Sequence, residues 1–220
     1  MKLRSMLKRI GRSIGDKNRA KYFKNRITAL TNKDFSIISS FCIGGEVYHD
    51  LHMRFDSPTI NLCFKGDDFY DFATNLKQYV ECDIVETTRS EGDYPTGLLL
   101  GEKVGLRNLT VVFVHYPDFE HAKVKWIERR KRIHFDNIYI MADKFGCTQE
   151  TIDRFEALPY KNKMLYSDVA FPGHPDVFVP SCYTKKNHKG VRGEISFFKG
   201  LSGLRYTDEF DWISFLNHPQ

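Results

Sequence analysis

A chain of 220 residues, 41% apolar and 14% aromatic, can bury a sizeable core and is too hydrophobic for wholesale disorder. Its formal net charge of +5 is unevenly spread: residues 1–33 hold eleven basic side chains against one acid, Asp16, whereas the rest holds 22 basic against 27 acidic. A mildly acidic body behind a basic tail argues against a general nucleic-acid binder.

No window approaches the roughly 18 consecutive apolar residues of a membrane span, and the basic N-terminus lacks the apolar run of a signal peptide. The five cysteines (Cys42, Cys63, Cys82, Cys147 and Cys182) are scattered, with no C-x-x-C pair. That pattern fits neither a disulfide framework nor a structural zinc site and suits a reducing cytoplasm.

In chain order, Leu3, Met6, Leu7, Ile10 and Ile14 share one helical face, with basic residues covering the rest. Gly15-Asp16 reads as a break, after which Ala20, Phe23, Ile27 and Leu30 resume the period. Residues 1–33 are therefore expected to be a basic amphipathic segment. It could lie on an anionic membrane surface through residues 1–30, or dock its apolar face on the body. Residues 34–220 read as a single α/β domain.

That domain opens on Phe35–Phe64, which reads as strand, glycine-bearing turn (Gly44-Gly45), short helix (Glu46–Met53) and second strand (Thr59–Phe64). Gly66-Asp67-Asp68 starts a helix to Val80, with acids at its positive end. Cys82–Thr88 reads as a strand, and the glycine-rich stretch Arg89–Lys103 as a surface excursion or hairpin. Leu109–Val114 has the continuous apolar character of a strand buried on both faces. Asp118 caps a helix to Arg132 and Thr148 one to Ala157, with a strand at Asn137–Ala142 between them. From residue 163 onward the pattern is more irregular: short strands at Met164–Phe171, Asp176–Val179 and Glu194–Phe198, then a helix at Asp208–Asn217. Strands alternating with helices imply a mainly parallel sheet in a three-layer α/β/α, Rossmann-like sandwich.

Ligands of such sheets sit beyond the carboxyl ends of the strands, which directs attention to Ser40, His115-Tyr116 and Asp143. Gly44 and Gly45 offer backbone N–H groups to an anion, or simply make a tight turn. Cys42, near a helix N-terminus, is a candidate nucleophile with His49 or His115 as base, or a small buried cysteine. His115 is a candidate general base or phosphate ligand, or a hydrogen-bonded histidine near the surface, and Asp143 a candidate catalytic, metal- or ribose-binding carboxylate, or a turn residue. Glu46 and His49 extend the polar cluster, and Arg129 in the run Arg129–Arg132 could face an anionic sugar donor or membrane, or belong to a solvated helix face. Neither G-x-G-x-x-G nor a P-loop occurs. His174, His188 and Cys182 lack metal-ligand spacing, so no metal or cofactor is assigned.

The blocks SSFCIGGEVYHDL, SPTINL, VVFVHY and KWIERRKRIHFDNIYI resemble a bacterial domain family of unknown function whose members are often labelled exopolysaccharide biosynthesis proteins. The resemblance runs from about Phe35 to Tyr166. It implies a Rossmann-like fold and adds Tyr48, Asn61 and Tyr116 to the candidate ligand-binding residues. Phe41 departs from the family pattern, where a small polar residue is expected. The expected function is a cytoplasmic transferase of surface-polysaccharide assembly, peripheral at the inner membrane face, using a nucleotide-linked sugar or similar donor. The alternatives are a cysteine- or serine-based acyltransferase or hydrolase acting on the glycan, and a non-catalytic scaffold of the assembly machinery.

Overall fold

The structure is a computed structural model that describes residues 2–90, 92–184 and 194–218, with the side chains of the first helix described from Gly11 onward, Arg12 and Asn25 excepted. The predicted position His188 and the apolar face Leu3–Ile10 lie outside what is described.

The elements run α1 (Lys2–Ala29), β1 (Ser36–Ser39), α2 (Ile43–Asp50), β2 (Cys63–Phe64), α3 (Asp68–Thr74), α4 (Leu76–Tyr79), β3 (Ile84–Glu86), β4 (Thr96–Leu99), β5 (Leu109–Val112), α5 (Phe119–Arg130), β6 (Ile138–Lys144), α6 (Gln149–Glu156), β7 (Lys163–Ser167), β8 (Val177–Phe178) and α7 (Trp212–Asn217). The fold is mixed α/β with two four-stranded sheets. One is parallel, in the order β1-β6-β7-β8, and the other antiparallel, in the order β2-β5-β4-β3.

The expectation of one mainly parallel sheet is therefore corrected. A continuous apolar run reports burial on both faces and carries no strand direction. Leu109–Val112 is such a run, and it pairs antiparallel with both neighbours. The two sheets adjoin at the end of β1, where Phe64 N donates to the Ser40 carbonyl at 3.4 Å.

Side chains alternate along β6 with period two. Ile138, Ile140 and Ala142 join Ile38, Leu165 and the antiparallel sheet in one apolar cluster. Tyr139 and Met141 join Ile37, Met164 and Tyr166 in a second cluster with residues of α1, α2 and α7. Burying a large apolar side chain such as Ile140 contributes about 1.5–3 kcal/mol, so two-sided burial makes β6 the spine of the molecule.

Several local expectations hold, and others give way to tertiary contacts. Asp118, in extended conformation, accepts from His121 N at 2.9 Å, and Thr148 forms a capping box with Thr151. The glycine-rich stretch does make the hairpin that pairs β4 with β3. α1, by contrast, does not break at Gly15-Asp16. A Cβ at Gly15 would stand 2.8 Å from the Phe198 ring, so this glycine admits a close approach of the C-terminal segment. The predicted helix from residue 66 to Val80 is interrupted at Asn75 (φ −114°, ψ 37°). The predicted strand Thr59–Phe64 shrinks to Cys63–Phe64 because Asn61 takes φ 60°, which ends extended pairing. Glu194–Ser196 is a 3-10 turn rather than a strand, with Phe198 alone bridging to Arg205.

α1 is held on the body by a buried ion network. Arg19 donates to Asp50 Oδ1 at 2.8 Å and Asp208 Oδ2 at 2.6 Å, and Arg205 meets Asp50 at 3.1 Å. Phe23 and Leu30 of the same segment are buried in the second cluster.

Candidate functional site

The geometry that singles out a site begins with the two strands β1 and β6, which lie side by side and parallel. β1 leads into α2, whose Ile43, Val47 and Tyr48 pack in the Ile37–Met141 cluster. β6 leads into α6, whose Ile152 and Phe155 pack in the Ile38–Ile140 cluster, on the other face. The connections thus leave neighbouring strands toward opposite faces, opening a crevice beyond their carboxyl ends. A cavity of about 300 Å³ lies there, lined by Ser40, Gly66, Phe69, Tyr70, Asp143, Lys144 and Phe145, a size at the lower end for a small-molecule site.

Asp143 is the penultimate residue of β6 and is 6% exposed. Tyr183 donates its hydroxyl to Asp143 Oδ1 at 3.1 Å, and Asp143 N donates to Ser40 Oγ at 2.9 Å. Burial, and then the nearby Asp143 carboxylate, push the Tyr183 phenol far up, so it stays a proton donor. Lys144 Nζ pairs with Asp67 Oδ1 at 2.7 Å, closing one side of the crevice against the loop before α3. Burial also raises Tyr70, which stays neutral. The result is a buried carboxylate bonded by the Tyr183 hydroxyl, on a residue whose backbone N–H is tied to Ser40, beside a lysine and three aromatic rings.

The other sequence candidates fall elsewhere. Gly44 and Gly45 are inside the first turn of α2 and not in a turn before it. A Cβ at Gly44 would stand 2.7 Å from Ser39 Oγ and 2.9 Å from Ile37 Cγ2, so Gly44 lets the helix approach β1. Cys42, the residue before α2, is 6% exposed, with Sγ 4.0 Å from the Leu62 carbonyl. Tyr48 is fully buried: its hydroxyl accepts from Ile37 N at 3.0 Å and donates to the Phe35 carbonyl at 3.2 Å. Glu46 faces Arg205 at 3.4 Å in the network under α1, and burial raises its pKa above 4.5.

His49 and His115 are exposed, and His115 lies in the turn after β5 without lining the crevice. Asn61 neighbours Gly45. Tyr116 and Arg129 bond each other at 2.6 Å in a different cavity. Among the described residues no three His, Cys, Asp or Glu side chains converge on one point.

Comparison with known proteins places the molecule. Residues 14–217 match the model of a family described as a domain of unknown function, DUF1919. The chain belongs to the DUF1919 family. The match is longer than the Phe35–Tyr166 stretch that carries the sequence resemblance, and it takes in the second half of α1 and the C-terminal segment through α7. An uncharacterized protein of Haemophilus influenzae is 32% identical over 203 residues, which cover 91% of this chain and 93% of that protein. The family description concerns the whole arrangement of both sheets and leaves its chemistry open.

Tyr70, Phe145 and Tyr183 were not expected from the sequence. Position alone, next to a strand end, points to Lys144 and Phe145. Tyr183 arrives from 40 residues downstream with no local signal.

Proposed function

We propose that the crevice at the carboxyl ends of β1 and β6 binds the sugar portion of an activated, nucleotide-linked donor. On this reading the DUF1919 protein is a transferase of bacterial surface-polysaccharide assembly, working peripherally at the cytoplasmic face of the membrane, with its parallel sheet acting as a Rossmann-like half. One observation carries the reading. A buried carboxylate, that of Asp143, accepts from the Tyr183 hydroxyl while its backbone N–H is bonded to Ser40, at a switch point between parallel strands walled by Phe69, Tyr70 and Phe145.

Carboxylates accept hydrogen bonds from vicinal hydroxyls, and aromatic rings suit the apolar faces of a sugar ring. In this role Asp143 orients the donor and Tyr183 keeps the carboxylate in one rotamer. Lys144, part-buried beside Asp67, would meet the donor phosphate by exchanging partners. The polysaccharide context rests on the sequence resemblance alone. No helix among the described residues is long and apolar enough to cross a membrane, and peripheral attachment is part of the proposal.

Thermal-shift titration against a panel of nucleotide diphosphate sugars tests the reading. A saturable shift for at least one donor is expected, lost in Asp143→Asn and weakened in Tyr183→Phe. No shift with any donor, or an undiminished one in Asp143→Asn, would sink it.

A further inference from the structure

Two arginines are buried among the described residues, Arg19 at 7% and Arg129 at 8% exposure, and the fold treats them differently. Arg19 is neutralised by two carboxylates, Asp50 and Asp208. Arg129, on α5, meets none among the described residues. Its Nη1 donates to the Tyr116 hydroxyl at 2.6 Å, and its guanidinium lies 5.0 Å from the centroid of the Phe55 ring. A phenol oxygen and a ring face are weak counterparts for a full charge, and a buried cation without an anion is costly. Four of the five guanidinium N–H donors make no hydrogen bond to a described residue, which leaves a planar fork suited to an oxyanion.

Arg129 and Tyr116 line a cavity of about 400 Å³ whose remaining wall is largely carbon, from Pro117 and Val124. Val124 is 59% exposed, although it stands on a helix whose Phe119, Ala122 and Trp126 are buried and whose Ile127 is partly so. The other charges in the lining are engaged or opposed. Lys125 pairs with Glu128 at 2.8 Å and His121 with Asp118 at 2.8 Å. Glu120 adds a carboxylate to the lining but no bond to Arg129. The cavity thus combines one uncompensated buried cation with an apolar wall open to solvent.

We propose that this cavity binds an amphiphilic anion, whose phosphate or carboxylate head pairs with Arg129 and whose hydrocarbon substituent lies along Pro117 and Val124. The site shares no lining residue with the crevice at Asp143, and the inference stands without the donor-binding reading.

Isothermal titration of the full chain with hexyl phosphate, inorganic phosphate and hexanol tests it. Hexyl phosphate is expected to bind saturably and more tightly than the other two. Arg129→Met should weaken it by at least about tenfold without lowering the melting temperature of the ligand-free protein, because an unpaired buried charge has been removed. Val124→Asp, at an exposed position that leaves folding intact, should weaken hexyl phosphate more than inorganic phosphate, because only the former also loses apolar contact. If Arg129→Met does not fold, Val124→Asp decides alone. Failure of the wild type to bind hexyl phosphate, or equal binding by the variants, overturns the proposal. Co-sedimentation with phosphatidic-acid vesicles, lost in Val124→Asp, would support the site with a lipid-borne head group. Hexyl phosphate binding without co-sedimentation would support it with a soluble ligand.

Discussion

Gly44 shows how a single residue can be assigned two different jobs by sequence and by structure. Read along the chain, a glycine pair between strand and helix is an anion cradle; in three dimensions its missing side chain admits Ser39 and Ile37. Gly44→Ala should therefore cost about 1–3 kcal/mol through overpacking, measured by urea denaturation, and Gly45→Ala less, since its nearest contact is 3.3 Å. Equal stability of Gly44→Ala and wild type would show that α2 can back away from β1. Cysteine reactivity is set by the same kind of packing. Cys63 is the partly exposed member of the five, and burial pushes the Cys182 thiol up to about 12. Peptide mapping after brief iodoacetamide treatment of the native protein should find Cys63 modified first. Early modification of Cys42 would revive the cysteine-based alternative.

Among the elements, α1 is informative because its charge suggests a free tail and its contacts make it part of the domain. Arg19 is raised above its usual range although burial opposes its charge, because the hydrogen bonds with Asp50 and Asp208 outweigh desolvation. Arg19→Met should destabilise by about 3–5 kcal/mol, since it takes the cation from buried Asp208 and leaves Asp50 with Arg205 alone, and the loss should show in equilibrium unfolding followed by circular dichroism. Glu46 in the same network behaves oppositely. Burial raises its folded pKa above 4.5, so above that value the folded state holds a proton more tightly than the unfolded chain. Stability then increases as pH falls through the raised pKa toward 4.5 and is lost as pH rises through it. Glu46→Gln should be more stable than wild type at pH 7, and the difference should vanish below 4.5. An unchanged pH profile would show that Arg205 fully compensates the carboxylate.

For the whole molecule, the two sheets share one apolar cluster and are joined where Phe64 N meets the Ser40 carbonyl, and β6 is paired on both sides and buried on both faces. Amide exchange should be slowest at Ile140–Ala142 and fast along β3, which sits at the edge of the antiparallel sheet with Val85 exposed. Protection spread evenly over both sheets would instead mark them as one cooperative unit. The same architecture separates the candidate residues: Ser40 and Asp143 share a crevice, Tyr116 and Arg129 share a second cavity, and His115 stands outside both.

Much of this was legible along the chain, because helix caps, hairpin signals and apolar periodicity are local. Asp118, Thr148, the β4 region and the strand through Ile140 needed only neighbouring residues to declare themselves. Strand direction, the continuity of α1 through Gly15 and the shortening of β2 were not legible, because each is decided by a partner far away in sequence. Asp143 was visible as a carboxylate at a strand end. That Tyr183 bonds its carboxylate and Ser40 its backbone N–H, while Arg129 is buried without a carboxylate among the described residues, is a property of tertiary contacts. Burial sets the cost of a charge, and only the folded chain decides which charges find a partner.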